Sequence, residues 1–441
     1  MANDVIAAVA TPPGRGGIGI VRVSGPRLDF MVETLVGPRV EPRVATRADF
    51  RSADGSLIDQ GVALFFRAPH SYTGEDVLEL QGHGGPVVMQ LLLERCLEVG
   101  ARVAQPGEFT KRAFLNDKLD LAQAEGVADL IEASTAEAAR CAVRSLQGEF
   151  SQAIQTLVHE LIDVRMLVEA TLDFPEEEIE ALQRPGLRER LQALQARVAA
   201  ILAAARRGSL LREGVEVVIA GKANVGKSSL LNALAGAERA IVSDVPGTTR
   251  DTIRESITVN GVPLHIVDTA GLRESRDPVE SIGIARARQA VATADLLVWV
   301  ADVTDPTSAF PDHGLVLPEA TATLRVANKI DLLDRPRKSE FTGCVAVSAK
   351  TGVGMGGLRD AILEAIGGAT AGEGMYMARE RHLAALRRAH THLEDAIRLP
   401  TGLELVAEEL RSAQTALSSI TGSVTADDLL GAIFSRFCIG K

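Results

Sequence analysis

The sequence predicts a multidomain chain of mixed α+β and α/β class: an α+β N-terminal domain, a helical-bundle domain, and a P-loop α/β domain inserted into the helical one. Three observations predict it. Short apolar runs bounded by Gly, Pro and Asp fill the first part of the chain. Ala- and Leu-rich stretches with helical spacing stand both before and after the middle. The middle itself carries Gly221-Lys222-Ala223-Asn224-Val225-Gly226-Lys227-Ser228, a G-x-x-x-x-G-K-S loop between a β-type run and a helical one.

Within residues 1–118, Val5 to Val9, Ile18 to Val23 and Val62 to Phe66 read as strands, and Gly and Pro punctuate them. Pro86 to Val99 reads as a helix, with Val88, Leu91, Leu92 and Arg95 on helical spacing. From residue 119 the texture changes to Ala and Leu. Leu157, Leu161, Val164 and Val168 recur on helical spacing and mark one stripe of a helix. Asp173-Phe174-Pro175-Glu176-Glu177-Glu178 then reads as a solvated helix start, its carboxylates suited to the positive end of a helix dipole. Leu191 to Leu202 is helical again.

Residues 215–369 form the α/β block: Val215 to Ala220 is a strand entering the glycine loop, and strand and helix alternate from there. Gly372-Glu373-Gly374 marks a linker, followed by two helices. In the second, Leu403, Val406, Leu410, Ala413, Leu417 and Ile420 form a seam that Thr421-Gly422 ends. Segments 119–214 and 370–441 read most economically as one split helical domain whose halves pack together. Two separate bundles are the alternative.

The chain has 441 residues, 46% of them hydrophobic and 24% charged, with a net charge of −11. That balance gives no general attraction to a phosphate backbone, so a nucleic-acid partner would need a local basic face. One Trp and two Tyr argue against binding single strands by base stacking. Cys96, Cys141, Cys344 and Cys438 are scattered with no C-x-x-C pair, which fits a reducing compartment and no structural zinc. The N-terminus lacks a basic segment followed by an apolar one, and no run of apolar residues is long enough to span a bilayer. The expectation is a soluble, cytoplasmic chain with no membrane partner.

The glycine loop is one of an ordered series. Gly221 and Gly226 permit turns that aim backbone N–H groups at phosphate, and the helix starting near Ser229 adds its positive end. Lys227 is placed to reach the β- and γ-phosphates, and Ser228 to ligate Mg²⁺. Thr249, in Gly247-Thr248-Thr249, is the second hydroxyl candidate for Mg²⁺, ordered when a γ-phosphate is present. Asp268 ends the apolar run Leu264 to Val267 and faces Mg²⁺ through water; after Thr269 and Ala270, Gly271 offers an N–H to the γ-phosphate.

Asn328-Lys329-Ile330-Asp331 selects the base. A carboxylate at Asp331 accepts N–H bonds from the guanine edge and leaves adenine's acceptor unpaired. Ser348-Ala349-Lys350 closes over the base. The set reads as a site for GTP with Mg²⁺. Leu272 stands where a Gln would orient the attacking water, so another group must do so. The side-chain oxygen of Asn224 either binds a cation beside the β-phosphate or serves as structural filler.

The whole chain resembles the bacterial tRNA-modification GTPase family MnmE (TrmE), within the TrmE-Era-EngA-YihA-Septin-like GTPases. The resemblance rests on Ala10-Thr11-Pro12-Pro13-Gly14, Arg22-Val23-Ser24-Gly25, Tyr72-Thr73-Gly74-Glu75-Asp76, His83-Gly84-Gly85, Pro106-Gly107-Glu108-Phe109-Thr110, Phe114-Leu115-Asn116 and the ending Phe437-Cys438-Ile439-Gly440-Lys441. It implies a tetrahydrofolate-binding N-terminal domain that makes the homodimer, and a split helical domain carrying the G domain. It further implies a flavin-dependent MnmG (GidA)-like partner in a heterotetramer or larger complex. Together the two would install an aminomethyl or carboxymethylaminomethyl group at C5 of the wobble uridine of certain tRNAs. The carbon would come from 5-formyl- or 5,10-methylene-tetrahydrofolate.

By the same resemblance Arg22, Glu79, Lys118 and Lys441 contact the folate. Hydrolysis is K⁺-stimulated, with Asn224, Ser243, Val245 and Thr248 as K⁺ ligands. Glu280 positions the catalytic water through a bridging water, alongside Lys227, Thr249 and Gly271. Asp244 and Pro246 belong to the same nucleotide-facing segment, and Arg250 and Arg273 are candidates to steady the switch segments. Val225 and Pro246 depart from the small Ala frequent at both places. Cys438 is either a nucleophile toward the one-carbon unit or a small apolar residue of the tail. The G-domain motifs taken alone serve equally a regulatory or assembly GTPase acting on ribosomal or metal-centre partners. The tail from Cys438 and the segment from Tyr72 favour tRNA modification.

Overall fold

The Thr11-Pro12-Pro13-Gly14 turn joins β1 (Ile6–Val9) to β2 (Gly16–Gly25), and this antiparallel pair begins a six-stranded sheet. The computed structural model describes residues 4–173, 186–222, 224–236, 254–268, 294–305, 321–333, 343–367, 374–399, 402–423, 427–435, 437, 438 and 440. The chain divides into two units, 1–128 with 418–441, and 129–417.

In the first unit β2 is followed by α1 (Asp29–Leu35), β3 (Thr46–Arg51), β4 (Leu57–Phe66), β5 (Asp76–Gly84), α2 (Pro86–Glu98), β6 (Arg102–Val103), α3 (Glu108–Leu115) and α4 (Leu121–Glu132). The sheet order is β3-β4-β5-β2-β1-β6. Alternation along β2 sends Val21 and Val23 into a core with Phe50, Phe65, Leu78, Leu80 and Leu92. Arg22 therefore belongs to the opposite face, where Ile6, Ala8, Ala104 and Phe109 form a smaller cluster with Tyr72 against it. The strands expected at Val5, Ile18 and Val62 and the helix expected at Pro86 are present, the proline standing where it suits the first helical turn. Strands β3 and β5 carry polar positions that interrupt the apolar run and leave no such signal in the sequence.

The second unit continues with α5 (Ala136–Leu146), α6 (Glu149–Asp173), α7 (Leu187–Glu213), β7 (Val215–Ala220), α8 (Lys227–Ala235), β8 (Arg254–Val259), β9 (Val262–Asp268), β10 (Leu296–Asp302), β11 (Ala322–Asn328), a 3₁₀ turn (Ile330–Leu332), β12 (Val345–Ala346), α9 (Met355–Ala365), α10 (Glu380–Arg398) and α11 (Leu403–Thr421). The closing helix α12 (Asp427–Phe434) belongs to the first unit. Sheet order is β12-β11-β10-β7-β9-β8, parallel except for the edge strand β8. Strand β7 is the near-continuous apolar run expected of a parallel strand covered on both faces.

The stripe Leu157, Leu161, Val164 and Val168 is buried in α6, as is the seam from Leu403 to Ile420 in α11. Helices on either side of the α/β block meet. Phe150 of α6 stacks near Tyr376 and His382, with ring centroids 5.2 and 5.3 Å apart. Gly208 of α7 lies so close to the Tyr376 carbonyl that a Cβ there would sit 1.9 Å from its oxygen. Arg165 of α6 donates to Gln414 of α11 at 2.9 Å. The α/β block shares this packing: Ala138, Cys141 and Ala142 of α5 belong to the same core as Val215, Ile257, Leu264 and Met375. Phe174 to Glu178, with Pro175, lies outside the described residues. Among the described residues no helix is long and apolar enough to cross a membrane.

Asp129 fastens the root of the α/β block. Its carboxylate, 3% exposed, accepts from Arg212 Nε at 2.9 Å and from an Arg379 terminal nitrogen at 2.7 Å. Arg212 lies in the last turn of α7, just before β7; Arg379 caps α10, just after the block. Removing the carboxylate takes from two partly buried guanidinium groups the buried acceptor they share. Asp129→Ala is expected to lower stability by about 3 kcal/mol, read as a shift of the urea-unfolding midpoint. An unshifted midpoint would refute this account.

Candidate functional site

The glycine loop runs from the C-terminal end of β7 into α8. The backbone is at positive φ at Gly221 (+148°), Asn224 (+65°) and Gly226 (+95°), the pattern that turns successive N–H groups toward one point. Lys227 Nζ donates to the carbonyls of Gly221 and Lys222, both at 2.9 Å, which holds the ammonium across the loop. Ser228 and Ser229 are exposed on the first turn of α8.

Asn328 binds this loop to the loop that carries Ser348 and Ala349. Its Nδ2 donates to the Val225 carbonyl at 2.9 Å, and its Oδ1 accepts from the Ala349 N–H at 3.1 Å. Asn328 is 2% exposed and Val225 is equally buried. Gly226 lies against the same amide, where a Cβ would stand 2.4 Å from Asn328 Nδ2. Ser348 donates to Asp331 Oδ1 at 2.6 Å and accepts from the Thr351 N–H at 3.1 Å, so the Asp331 carboxylate is oriented from behind. Lys329 donates to the Asn224 carbonyl at 2.6 Å and pairs with Asp302 Oδ2 at 2.6 Å.

These groups line a cleft of about 580 Å³ with Gly226, Ser229, Asn232, Asp331, Leu332 and Lys350 on its walls. That volume suits a nucleotide-sized ligand, and the position beyond the carboxyl ends of parallel strands is where α/β sheets bind ligands. The structure thus brings together Asn224, Val225, Gly226, Lys227, Ser229, Asn328, Lys329, Asp331, Ser348, Ala349 and Lys350. Asp268 ends β9, whose register partner at that point is Ile219 of β7. Ser243, Asp244, Val245, Pro246, Gly247, Thr248, Thr249, Arg250, Thr269, Ala270, Gly271, Leu272, Arg273 and Glu280 lie outside the described residues.

Sequence reasoning missed Asp302. Burial pushes its carboxyl up, and hydrogen bonds from Lys329 and Thr304 more than offset that and hold it below the ordinary carboxylate value. Its signal was present: like Asp268, it is an acidic residue that ends an apolar strand.

A second cluster lies in the first unit. Arg22 and Glu79 are direct cross-strand partners of β2 and β5 and pair at 2.8 Å. The Arg22 guanidinium stands 5.6 Å from the Tyr72 ring centroid and 5.8 Å from that of Phe109. Tyr72 is fixed by its hydroxyl, 2.8 Å from Thr110 Oγ1; burial pushes its phenol up. Lys118 donates to the Pro69 carbonyl at 3.0 Å, at the other end of the loop that presents Tyr72.

The chain's tail reaches this sheet. The Gly107 N–H donates to the Cys438 carbonyl at 3.3 Å. Gly440, at φ +98°, leaves no room for a side chain, since a Cβ would sit 2.3 Å from the Val9 oxygen. Val9 pairs with Val21, the neighbour of Arg22. The Cys438 side chain is exposed, and Lys441 lies outside the described residues. Arg22, Tyr72 and Phe109 stand in three separate sequence motifs, and only the fold brings both rings to one guanidinium.

Residues 5–118 match the family "GTP-binding protein TrmE N-terminus" and residues 121–438 match "MnmE helical domain". The chain is similar to the tRNA modification GTPase MnmE of Nitrosomonas eutropha, 58% identical over 453 residues covering 100% of this chain and 99% of that one. It is similarly close to that of Nitrosospira multiformis, 57% identical over 451 residues with 100% and 99% covered. Against that of Neisseria meningitidis it is 57% identical over 444 residues, with 99% and 98% covered.

The contact between Gly226 and Asn328 sets a test of the cleft. Gly226→Ala forces a Cβ onto the Asn328 amide at a backbone angle that L side chains rarely adopt. Affinity for a fluorescent guanine nucleotide is expected to fall about tenfold or more, a loss of roughly 1.4 kcal/mol or above, with the far-ultraviolet circular dichroism unchanged. Unaltered affinity would remove Asn328 from the role given to it.

Proposed function

The chain belongs to the MnmE family of tRNA modification GTPases, a GTP hydrolase of tRNA modification, and on that premise we propose how its sites divide the work. The G domain, residues 215–369, binds GTP with Mg²⁺ and hydrolyses it with K⁺ as activator. The N-terminal domain, residues 1–118, binds a tetrahydrofolate derivative and makes the homodimer. Segments 119–214 and 370–441 form one split helical domain. With a flavin-dependent MnmG (GidA)-like partner, in the cytoplasm, the protein installs a folate-derived aminomethyl or carboxymethylaminomethyl group at C5 of the wobble uridine of certain tRNAs.

The observation that carries the folate assignment is the Arg22–Glu79 pair set between the Tyr72 and Phe109 rings. The donor set fits the ligand chemically. A pterin edge offers N–H groups to a carboxylate, and a glutamate tail calls for cations, which Arg22, Lys118 and Lys441 supply. The approach of Gly440 to Val9 seats the described end of the tail on the sheet that carries Arg22.

For the nucleotide, Lys227 and the N–H groups of the loop cradle phosphate, Ser228 and Thr249 hold Mg²⁺ with Asp268 through water, and Asp331, oriented by Ser348, reads guanine. Asn224 suits K⁺ by chemistry: it is exposed, and the positive φ of its backbone brings it to the loop's turn. Bound beside the β-phosphate, K⁺ supplies positive charge where an arginine finger would act. Ser243, Val245 and Thr248 complete its oxygen set, and Glu280 aligns the attacking water where Leu272 cannot.

Two experiments test these assignments. GTP turnover is expected to be at least about tenfold faster in KCl than in NaCl at equal ionic strength, equivalent to roughly 1.4 kcal/mol of barrier. Equal rates would remove the cation from the scheme. Arg22→Ala is expected to weaken 5-formyl-tetrahydrofolate binding by about tenfold or more in calorimetric titration, in line with losing a charged hydrogen-bond partner, while GTP binding stays unchanged. A wild-type chain that does not bind this folate overturns the N-terminal assignment.

A further inference from the structure

Lys329 reaches across the cleft from the turn after β11, in left-handed backbone with φ +67°. Its ammonium meets two oxygens: the Asn224 carbonyl and Asp302 Oδ2, each at 2.6 Å. Parallel pairing explains the second contact. Asp302 and Asn328 are register partners at the ends of β10 and β11, so the residue after Asn328 starts beside the Asp302 carboxylate.

That carboxylate is oriented independently of the lysine. Its Oδ1 accepts from the Thr304 N–H at 2.9 Å and from the Thr304 hydroxyl at 2.7 Å, a turn of its own making. Oδ2 is thereby aimed at Lys329, and the Asp302 side chain is only 11% exposed.

A lysine left to itself samples many rotamers, and holding one of them costs side-chain entropy. The Lys329 stem is a wall of the cleft next to Asp331, the residue assigned to read the base. A wall already fixed before the ligand arrives spares that ordering on binding.

We propose that Asp302 is a positioning residue for the nucleotide base. It acts through Lys329, pinning the stem as one wall of the base pocket and the ammonium on the Asn224 carbonyl. The carbonyl belongs to a non-glycine residue at positive φ, so the same contact steadies the loop's turn. The inference rests on the nucleotide site proposed above.

The test is a double-mutant cycle in the full-length protein, with GTP hydrolysis as readout. Asp302→Asn keeps an oxygen for the Thr304 turn but sets an amide against the ammonium. Lys329→Met keeps the stem and removes the charge. Asp302→Asn alone is expected to raise KM for GTP about tenfold, as for a charge-assisted hydrogen bond, with kcat at saturating GTP within about twofold of wild type. In the Lys329→Met background the same change is expected to add nothing, because the two residues act as a unit. An unchanged KM for Asp302→Asn while Lys329→Met raises it overturns the role of Asp302. Equal, additive increases in both backgrounds overturn it too. A Lys329→Met variant with wild-type KM would instead overturn the nucleotide-site reading itself. If Asp302→Asn does not fold, Asp302→Ser, which retains an acceptor for the turn, carries the same comparison.

Discussion

The cleft of the α/β block depends on one side-chain amide. Asn328 uses both of its polar atoms on backbone: the nitrogen on the Val225 carbonyl, the oxygen on the Ala349 N–H. It thereby joins three loops that leave three different strands. A buried amide satisfied on both sides tolerates little displacement, since movement of either loop leaves a polar group unpaired away from water. The glycine at 226 follows from this. Its missing side chain is the space the amide occupies. The glycine loop and the loops that follow β11 and β12 are thus set at a fixed separation by protein contacts alone.

The first unit shows a comparable constraint built differently. Arg112, 7% exposed, collects Glu75, Glu108 and Asp4 around one guanidinium, and Ser24 donates to Glu75 from the strand that carries Arg22. Arg102 adds a second guanidinium to Glu108 and Asp4. Arg112, Glu108 and Glu75 are little hydrated, and charges in that state are stabilising only when paired and hydrogen-bonded throughout. The consequence is local rigidity: the segment from Tyr72 to Asp76 is held from beneath by Glu75 and from the side by Thr73, which accepts from Asn116. The Tyr72 ring is therefore presented to Arg22 by a loop with few alternatives.

How much of this was legible in the sequence differs by kind of interaction. The glycine loop, the buried stripe of α6 and the seam of α11 were readable because periodicity and steric exclusion are local properties. Asn328 and Asp331 stand out in the sequence by their order along the chain, and the structure brings both to one cleft. Asp302 does not stand out, although it ends a strand as Asp268 does. Its partner Lys329 comes from the next strand, and only the β10–β11 register brings them level. The same holds for Asp129, one acidic residue among many in a helix until Arg212 and Arg379 arrive from separate parts of the chain. Strand β5 was passed over because Glu79, Gln81 and His83 break its hydrophobic run; those polar positions face the Arg22 side or the exposed end of the sheet.

An inserted domain must leave and re-enter its host at neighbouring points, because the host's helices have to close around both connections. Here the two connections touch. Gly208 near the end of α7 lies against the Tyr376 carbonyl, and Met375 and Met377 share the core of β7 and β9. Asp129 then holds one arginine from each connection. A third attachment is made by the β8–β9 hairpin. Its turn glycine, Gly261, lies against the Glu137 side chain of α5, and His265 of β9 sits 3.2 Å from the Glu213 carbonyl at the end of α7. Three separate tethers remove the freedom that two covalent connections alone would leave. The hairpin joins the segment before Arg254 to the segment after Asp268, and these two carry the residues expected to respond to the γ-phosphate. The described ladder between them is held at its turn by Glu137 of α5 and along β9 by the Glu213 carbonyl at the end of α7.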